Sequence, residues 1–197
     1  SRMNYSFLKT DFDIFSGVII STTGYTGSGG FEIYCENKDA VAIWKTLFKY
    51  GEQFDLKPIG LAARDTLRLE MGYCLYGNDI NENTNPIEAG LNWVTKINKD
   101  FIGKKNIVNA IENGFEKKLV GFKLIERGIP RNDYIIFDGN DIEIGVVTSG
   151  TMSPILKEGI GLGYVSFEYS KLNSIIFIGI RNKKIMAKVI NTPFVKI

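Results

Sequence analysis

The sequence predicts an α+β fold, in which a region of mixed helices and strands precedes a small all-β region. In the first part of the chain, strand-like runs alternate with segments whose apolar residues recur at helical spacing. From Lys118 onward, short apolar runs are instead separated by turn signals such as Asp138-Gly139. We therefore expect one domain over residues 1–116 and a second over residues 117–197.

Strands and a helix are expected in the first 51 residues. Residues 17–35 predict two strands around the glycine-rich turn GYTGSGG, because the apolar run 18–20 precedes the turn and apolar and polar residues alternate after it. Asp39 is a plausible N-cap for a helix whose apolar residues form one stripe. Gly51 is placed to end this helix in a left-handed conformation.

A second helix is expected from Pro58 to its stop at Gly72. Its spacing brings Arg64, Asp65 and Arg68 near one another, and we expect Asp65 and Arg68 to tie the helix to its surroundings. We expect the polar, turn-rich stretch YGNDINENTNP that follows to lie on the protein surface.

Further along the chain, Pro86 and Glu88 are typical of a helix start. Residues 104–113 predict a third helix, with Gly114 as its stop. Six strands then follow, at residues 119–125, 134–137, 142–148, 160–167, 174–180 and 185–190, and indicate a small barrel or sandwich.

The composition excludes several functional classes. Of the 197 residues, 44% are hydrophobic and 23% charged, which is typical of a globular chain. The 24 basic and 22 acidic residues are well mixed and lack the clustered positive charge of a nucleic-acid-binding surface. No apolar run approaches the ~20 residues of a membrane span. We expect neither nucleic-acid nor membrane partners.

Histidine is absent from the sequence, which excludes imidazole-dependent catalysis and His-ligated zinc sites within this chain. Cys35 and Cys74 lie far apart and fit no metal-ligand spacing, so we expect free thiols in a reducing compartment and no metal. The opening residues Ser1-Arg2-Met3 do not resemble a natural start, and we expect a truncated chain.

Three residues are candidates for a binding site, although each also has a plain structural explanation. Tyr25 lies among glycines that allow a ligand to approach the backbone, but buried tyrosines are common. Glu32 is charged within an apolar strand, where alternate residues often face solvent. Arg64 pairs naturally with Asp65 on a helix surface. A phosphate cradle at GYTGSGG is disfavoured, because a strand follows it and the Lys-Ser/Thr ending is missing.

Several ordered motifs resemble the glycine cleavage T proteins, which are folate-dependent aminomethyltransferases. The resemblance covers nearly the whole chain. The motifs are TTGYTGSGGFEI (22–33), GLAARDTLRLEMGYCLYGNDI (60–80), NPIEAGLNWV (85–94), FIGK (101–104), GIPR (128–131), GVVTSGTMSPILKEGIGLGYV (145–165) and NTPFV (191–195).

The resemblance implies a fold and a reaction. The expected fold is a folate-binding aminomethyltransferase-like α/β region followed by an antiparallel β-barrel. In that family a lipoyl-bearing carrier protein of the glycine cleavage system presents an aminomethyl group, and tetrahydrofolate accepts the one-carbon unit with release of ammonia. Tetrahydrofolate is therefore the expected co-substrate. The expected location is the cytoplasm in a bacterium, or the mitochondrial matrix in a eukaryote.

The resemblance also assigns roles to the three candidates. Glu32 matches the carboxylate that holds the pterin ring, since a carboxylate accepts two parallel bonds from adjacent N–H groups. Arg64 matches the arginine of the folate pocket, and Tyr25 matches its tyrosine. The aspartate that performs catalysis in the family falls upstream of Ser1. We therefore expect no catalytic residue here and no turnover by this chain alone.

Other functions remain open at this point. A folate-dependent demethylase shares the scaffold, and some relatives bind folate without catalysis. A purely structural β-domain fragment is the third possibility. Folate titration of the Glu32→Gln variant separates that last possibility from the others.

Overall fold

The computed structural model describes residues 6–196 and confirms the α+β class, including a closed six-stranded antiparallel barrel. The chain divides into two compact units, an N-terminal unit up to Leu67 and a barrel unit from Arg68 to Lys196. The division falls within a helix, whereas the first barrel strand begins at Lys117. The domain boundary at 116/117 stays a prediction. Within residues 6–196, no helix is long and apolar enough to cross a membrane.

The N-terminal unit contains a three-stranded antiparallel sheet. Its strands are β1 (Phe7–Phe12), β2 (Phe15–Ser21) and β3 (Glu32–Tyr34), in the order β1-β2-β3. The predicted pair β2 and β3 is confirmed around the glycine-rich turn, while β1 was not predicted. The register places Ser21 directly opposite Glu32, so their side chains emerge on the same face of the sheet.

Helix α1 (Ala40–Gly51) packs on this sheet through Ile43, which lies buried against Phe15 and Val18. The helix ends at Gly51 as predicted, but the left-handed conformation predicted for Gly51 is wrong. Gly51 has a right-handed φ of −80°, and a short 3₁₀ turn continues the chain. Asp55 takes the left-handed conformation instead, with φ of 55°. Aspartate tolerates the left-handed region because its short polar side chain forms local hydrogen bonds. The left-handed position after the helix therefore did not require glycine.

Helix α2 spans Leu61–Glu70. Gly72, the predicted stop, follows two residues later with φ of +69°. The Gly72 N–H donates to the Leu69 carbonyl at 2.7 Å, and the next N–H, of Tyr73, reaches back to Arg68. A Cβ on Gly72 would lie 2.6 Å from that of Thr192. Glycine is required here both by the left-handed backbone and by this close approach.

Replacing Gly72 with alanine is expected to lower the free energy of unfolding by about 2–4 kcal/mol, since left-handed strain and a forced contact both contribute. Gly77→Ala is the matched control, because Gly77 also has positive φ (+92°) but nothing within 4 Å of an added Cβ. It should cost only the backbone strain, about 1–2 kcal/mol. Urea unfolding of both variants measures the difference. Equal losses would show that the contact with Thr192 relaxes freely.

The segment after α2 contains no helix until α3 (Lys104–Asn113), which ends before Gly114 as predicted. The helix start predicted at Pro86 and Glu88 is wrong. Residues 86–90 form consecutive turns, including bonds from the Ala89 N–H to Asn85 and from the Leu91 N–H to Pro86. No helix propagates from these turns, because the backbone becomes left-handed at Gly90, which has φ of +71°.

The barrel confirms the six predicted strands. They follow the order β4-β7-β6-β5-β8-β9, and β4 pairs with β9 to close it. Alternate residues fill an apolar interior that includes Phe122, Ile136, Val147 and Ile178. The strands are β4 (Lys117–Leu124), β5 (Ile135–Phe137), β6 (Glu143–Met152), β7 (Gly159–Ser166), β8 (Ile175–Ile180) and β9 (Lys183–Ile190).

Strand β7 is buried on both of its faces. Val165 belongs to the barrel interior. Ile160 and Leu162 point outward and pack with Leu69 at the end of α2. This outer packing explains why the barrel unit begins within α2, at Arg68, rather than at the first barrel strand.

The barrel unit also contains a buried ion pair that corrects one sequence expectation. Asp79 lies in the polar stretch assigned to the surface, yet it is 1% exposed. Its Oδ2 accepts a bond from the Arg68 guanidinium at 2.7 Å and another from the Ser149 hydroxyl at 2.9 Å. Arg68 itself is 1% exposed, which confirms that it ties the helix to its surroundings. A charge this deeply buried is tolerated because several donors replace water.

Candidate ligand-binding site

The three candidate residues lie around one cavity of about 360 Å³ within the N-terminal unit. Residues 23–32, which comprise the glycine-rich turn and the start of β3, form one side. Ile59, Arg64 and Leu67, from α2 and the loop before it, form the other. The volume lies near the lower end of the range for small-molecule sites. The structure thus brings Tyr25, Glu32 and Arg64 together, as a shared binding site requires.

Glu32 is half-buried and held by neighbouring hydroxyl groups. Its Oε2 accepts a hydrogen bond from the Thr23 hydroxyl. The Thr23 oxygen also lies 2.9 Å from the Ser21 hydroxyl oxygen. Tyr34, two residues along the strand on the same face, places its hydroxyl 3.5 Å from Oε2. The carboxylate is therefore anchored to the sheet rather than directed freely into solvent.

Arg64 occupies the first turn of α2 and stacks on the Tyr25 ring. The guanidinium carbon lies 4.6 Å from the ring centroid. At an exposed site such a cation–π contact contributes about 0.5–1 kcal/mol. The contact places a planar cation beside the glycine-rich turn. A planar ligand in the cavity would therefore meet a guanidinium, an aromatic ring and a carboxylate.

The remaining lining combines the hydroxyl side chains of Thr26 and Ser28 with exposed apolar side chains and glycine backbone. Phe31 is 70% exposed and Ile59 is 66% exposed, although both carry large apolar side chains. No heavy atom lies within 4 Å of the position that a Cβ would take on Gly24, Gly29 or Gly30. A ligand can therefore approach the backbone closely here, with apolar surface for its ring faces.

The arrangement does not suit a phosphate. The glycine-rich turn leads into strand β3 rather than into a helix, so it does not form the loop-to-helix cradle that binds phosphate in many nucleotide sites. The anchored carboxylate would also repel a phosphate. A flat heterocycle with adjacent N–H donors on one edge and a carbonyl acceptor fits this set of charges. Within residues 6–196, no group of His, Cys, Asp or Glu side chains suits a metal ion.

Larger cavities lie elsewhere in residues 6–196, and one of about 550 Å³ in the barrel unit also includes an arginine, aromatic rings and a carboxylate, from Arg181, Tyr134, Phe137 and Asp133. A groove of about 770 Å³ runs along α3 and is lined mostly by charged and polar side chains of that helix. A cavity of about 470 Å³ in the barrel unit includes Cys74, whose sulfur is not part of a disulfide. Burial raises the pKa of the Cys74 thiol to about 11, which keeps it protonated and unreactive near neutral pH.

Sequence reasoning did not identify Thr23 and Ser21 as contacts of Glu32. The sequence does indicate that the side chains of Ser21 and Thr23 lie on the same face, because they are two residues apart in an extended segment. Connecting that face to Glu32 required the strand register, which pairs Ser21 with Glu32.

Comparison with known proteins gives consistent matches along the chain. Residues 3–99 match the family model described as the GCVT N-terminal domain, and residues 117–196 match the glycine cleavage T-protein C-terminal barrel domain. An aminomethyltransferase from Flavobacterium psychrophilum is 56% identical over 192 residues, covering 98% of this chain and 53% of that protein. One from Bacteroides thetaiotaomicron is 53% identical over 194 residues, covering 98% of this chain and 54% of that protein.

A solved structure is also similar. The crystal structure of glycine cleavage system aminomethyltransferase T from Bartonella henselae matches with a TM-score of 0.84 and 37% sequence identity. The match covers 90% of this chain and 50% of that one. The chain thus spans about half the length of the curated relatives it matches.

Proposed function

Because this chain belongs to the glycine cleavage T-protein family, we propose that it forms one wall of the tetrahydrofolate site of an aminomethyltransferase. The reaction moves a one-carbon unit from the aminomethyl-lipoyl group of a carrier protein to tetrahydrofolate. The products are 5,10-methylenetetrahydrofolate, ammonia and the reduced lipoyl carrier. Since the relatives compared above are bacterial, the proposed location is a bacterial cytoplasm.

The observation that carries the proposal is the cavity shared by Glu32, Arg64 and Tyr25. The 2-amino group and N3–H of a pterin are adjacent donors, and the Glu32 carboxylate accepts both. The Arg64 guanidinium donates to the carbonyl oxygen at C4, a role that its planar geometry suits. The tyrosine ring under Arg64 holds the guanidinium in place.

Binding residues alone do not complete the reaction. Expulsion of ammonia and attack by the folate nitrogen both require proton transfer at the reacting atoms. The proposal assigns this task to an acidic residue in the part of the protein that the relatives have and this chain does not include. The N-terminal unit would bind and orient the pterin, so that N5 and N10 of tetrahydrofolate meet the aminomethyl carbon.

A chimera tests the proposal. This chain is substituted for the matching 53% of the Flavobacterium psychrophilum enzyme, and methylenetetrahydrofolate formation is measured with an aminomethyl-lipoyl carrier. We expect turnover by the chimera and none by the isolated chain, because the isolated chain lacks the proton-transferring residue. Small methylated amines in place of the carrier serve as a control for demethylase activity.

Two outcomes would contradict the proposal. Turnover by the isolated chain would place the catalytic acid within these residues. A well-folded chimera that demethylates small amines and ignores the carrier would assign the chain to a different reaction on the same scaffold.

A further inference from the structure

The hydroxyl groups of Ser21 and Thr23 form a directed chain that ends on Glu32. Thr23 Oγ1 lies within bonding distance of Ser21 Oγ (2.9 Å) and of Glu32 Oε2. An ionised carboxylate can only accept, so the single Thr23 proton must point to Glu32. In the contact with Ser21, Thr23 Oγ1 is then the acceptor and the Ser21 hydroxyl donates the hydrogen bond. Each bond in such a chain polarises and strengthens the next.

The donors of this chain are held by the backbone of the sheet. Ser21 is the last residue of β2 and is 8% exposed. Its neighbour Thr22 donates its N–H to the Ser6 carbonyl at 2.8 Å, which extends the pairing past the strand end. Thr23 therefore presents its hydroxyl from a fixed backbone position. A carboxylate bonded to it loses part of its rotational freedom.

The bonds to Glu32 fall on one oxygen. Thr23 and, at longer range, Tyr34 both approach Oε2. Among the hydrogen bonds of residues 6–196, Oε1 accepts none. The carboxylate thus has a supported oxygen and an oxygen available to a ligand.

We propose that Ser21 and Thr23 are positioning residues, which hold Glu32 in one rotamer and present its Oε1 to an N–H donor of the pterin. This inference deepens the proposed function and rests on it for the identity of the ligand. A rotamer fixed before binding saves the ligand the entropy of ordering it. The Tyr34 hydroxyl lies 3.5 Å from Oε2, at the long limit of a hydrogen bond, so the adjacent ligand donor can replace it there and form the second of two parallel bonds.

The test uses the full 197-residue chain and a readout that needs no ligand. Three-bond couplings in ¹³C,¹⁵N-labelled protein report whether the Glu32 χ1 angle is fixed or averaged. We expect one rotamer in the wild type and in Thr23→Ser, and averaging in Thr23→Val. Thr10→Val is the matched control, because the Thr10 hydroxyl donates to the Asp11 carbonyl on strand β1.

The second readout is affinity for 5-formyltetrahydrofolate, measured from chemical-shift changes in the same samples. Thr23→Val should weaken binding about 2- to 12-fold, the effect of one hydrogen bond. Thr23→Ser should stay within about twofold of the wild type, because it keeps the hydroxyl. Averaged couplings together with weaker binding, both restored by serine, support the inference.

Other outcomes overturn it. Unchanged couplings in Thr23→Val would show that Glu32 is held without the hydroxyl chain. Averaged couplings with unchanged affinity would make Thr23 a structural residue only. If neither the wild type nor Glu32→Gln responds to the folate, the proposed function fails for this chain, and the couplings alone then decide whether Thr23 positions Glu32.

Discussion

Replacing Asp79 with alanine should lower the free energy of unfolding by about 3–5 kcal/mol, the largest stability loss that we expect from one substitution in this chain. The carboxylate receives bonds from Arg68 (2.7 Å), the Ser149 hydroxyl (2.9 Å) and the Leu75 N–H (2.8 Å). The Thr148 hydroxyl donates to its other oxygen. Removing the carboxylate leaves a buried guanidinium without its counter-charge, and that desolvated charge dominates the loss.

Asp100→Ala is the control for this prediction. Asp100 forms an ion pair of 3.0 Å with Lys104, but its side chain is fully exposed. Solvent screens such a pair, and the expected cost is below about 1 kcal/mol. Guanidinium unfolding of both variants gives the comparison. If Asp79→Ala costs no more than Asp100→Ala, water reaches Arg68 in the folded state and the pair is not buried.

A double substitution distinguishes the loss of the Arg68–Asp79 ion pair from the cost of leaving the Arg68 charge buried without Asp79. Arg68→Met with Asp79→Leu removes both charges and keeps apolar volume, so it should recover much of the stability lost in Asp79→Ala. Ser149 and Thr148 would lose their acceptor in that variant, and full recovery is not expected.

Replacing Glu32 with glutamine should weaken pterin binding about 10- to 150-fold, which corresponds to the 1.5–3 kcal/mol of a hydrogen bond to a charged group. The amide removes the negative charge and turns one acceptor into a donor, which opposes the pterin N–H groups. In the chimera the same substitution should reduce turnover at low folate concentration by a similar factor. Glu36→Gln is the control, since Glu36 is exposed and forms a surface ion pair with Lys38.

A change in the ligand tests the same contact from the other side. A lumazine carries a carbonyl where the pterin carries its 2-amino group, so it presents one donor fewer to Glu32. The wild type should prefer the pterin, and Glu32→Gln should lose most of that preference. If Glu32→Gln still binds the pterin more tightly than the lumazine, another group of the protein must contact the 2-amino edge.

Local sequence patterns were sufficient for much of the fold. The barrel strands were predictable because apolar alternation and turn residues are short-range signals. The Asp138-Gly139 turn between β5 and β6 is an example, in which the Asp138 N–H donates to the Ile142 carbonyl at 2.9 Å. The left-handed conformation wrongly predicted for Gly51 and the false helix start at Pro86 arose from the same local reasoning. A glycine or a proline alone does not decide the backbone conformation when neighbouring residues offer alternative bonds.

The candidate site shows a similar division. The sequence identified Tyr25, Glu32 and Arg64 through a resemblance, and the structure brings them to one cavity. These three residues are separated along the chain, and their spacing alone did not predict that they line one cavity. The supporting hydroxyls of Ser21 and Thr23 became visible only through the register of β2 with β3.

The sequence by itself determined the element types, the all-β character of the C-terminal region and the residues worth testing. These depend on periodicity and turn chemistry, which act over a few residues. Only the tertiary structure decided that Asp79 is buried. A carboxylate in a polar loop reads as exposed until its donors are known, and these lie 11 residues away at Arg68 and 70 away at Ser149. Burial depends on contacts between distant parts of the chain, and no local pattern records them.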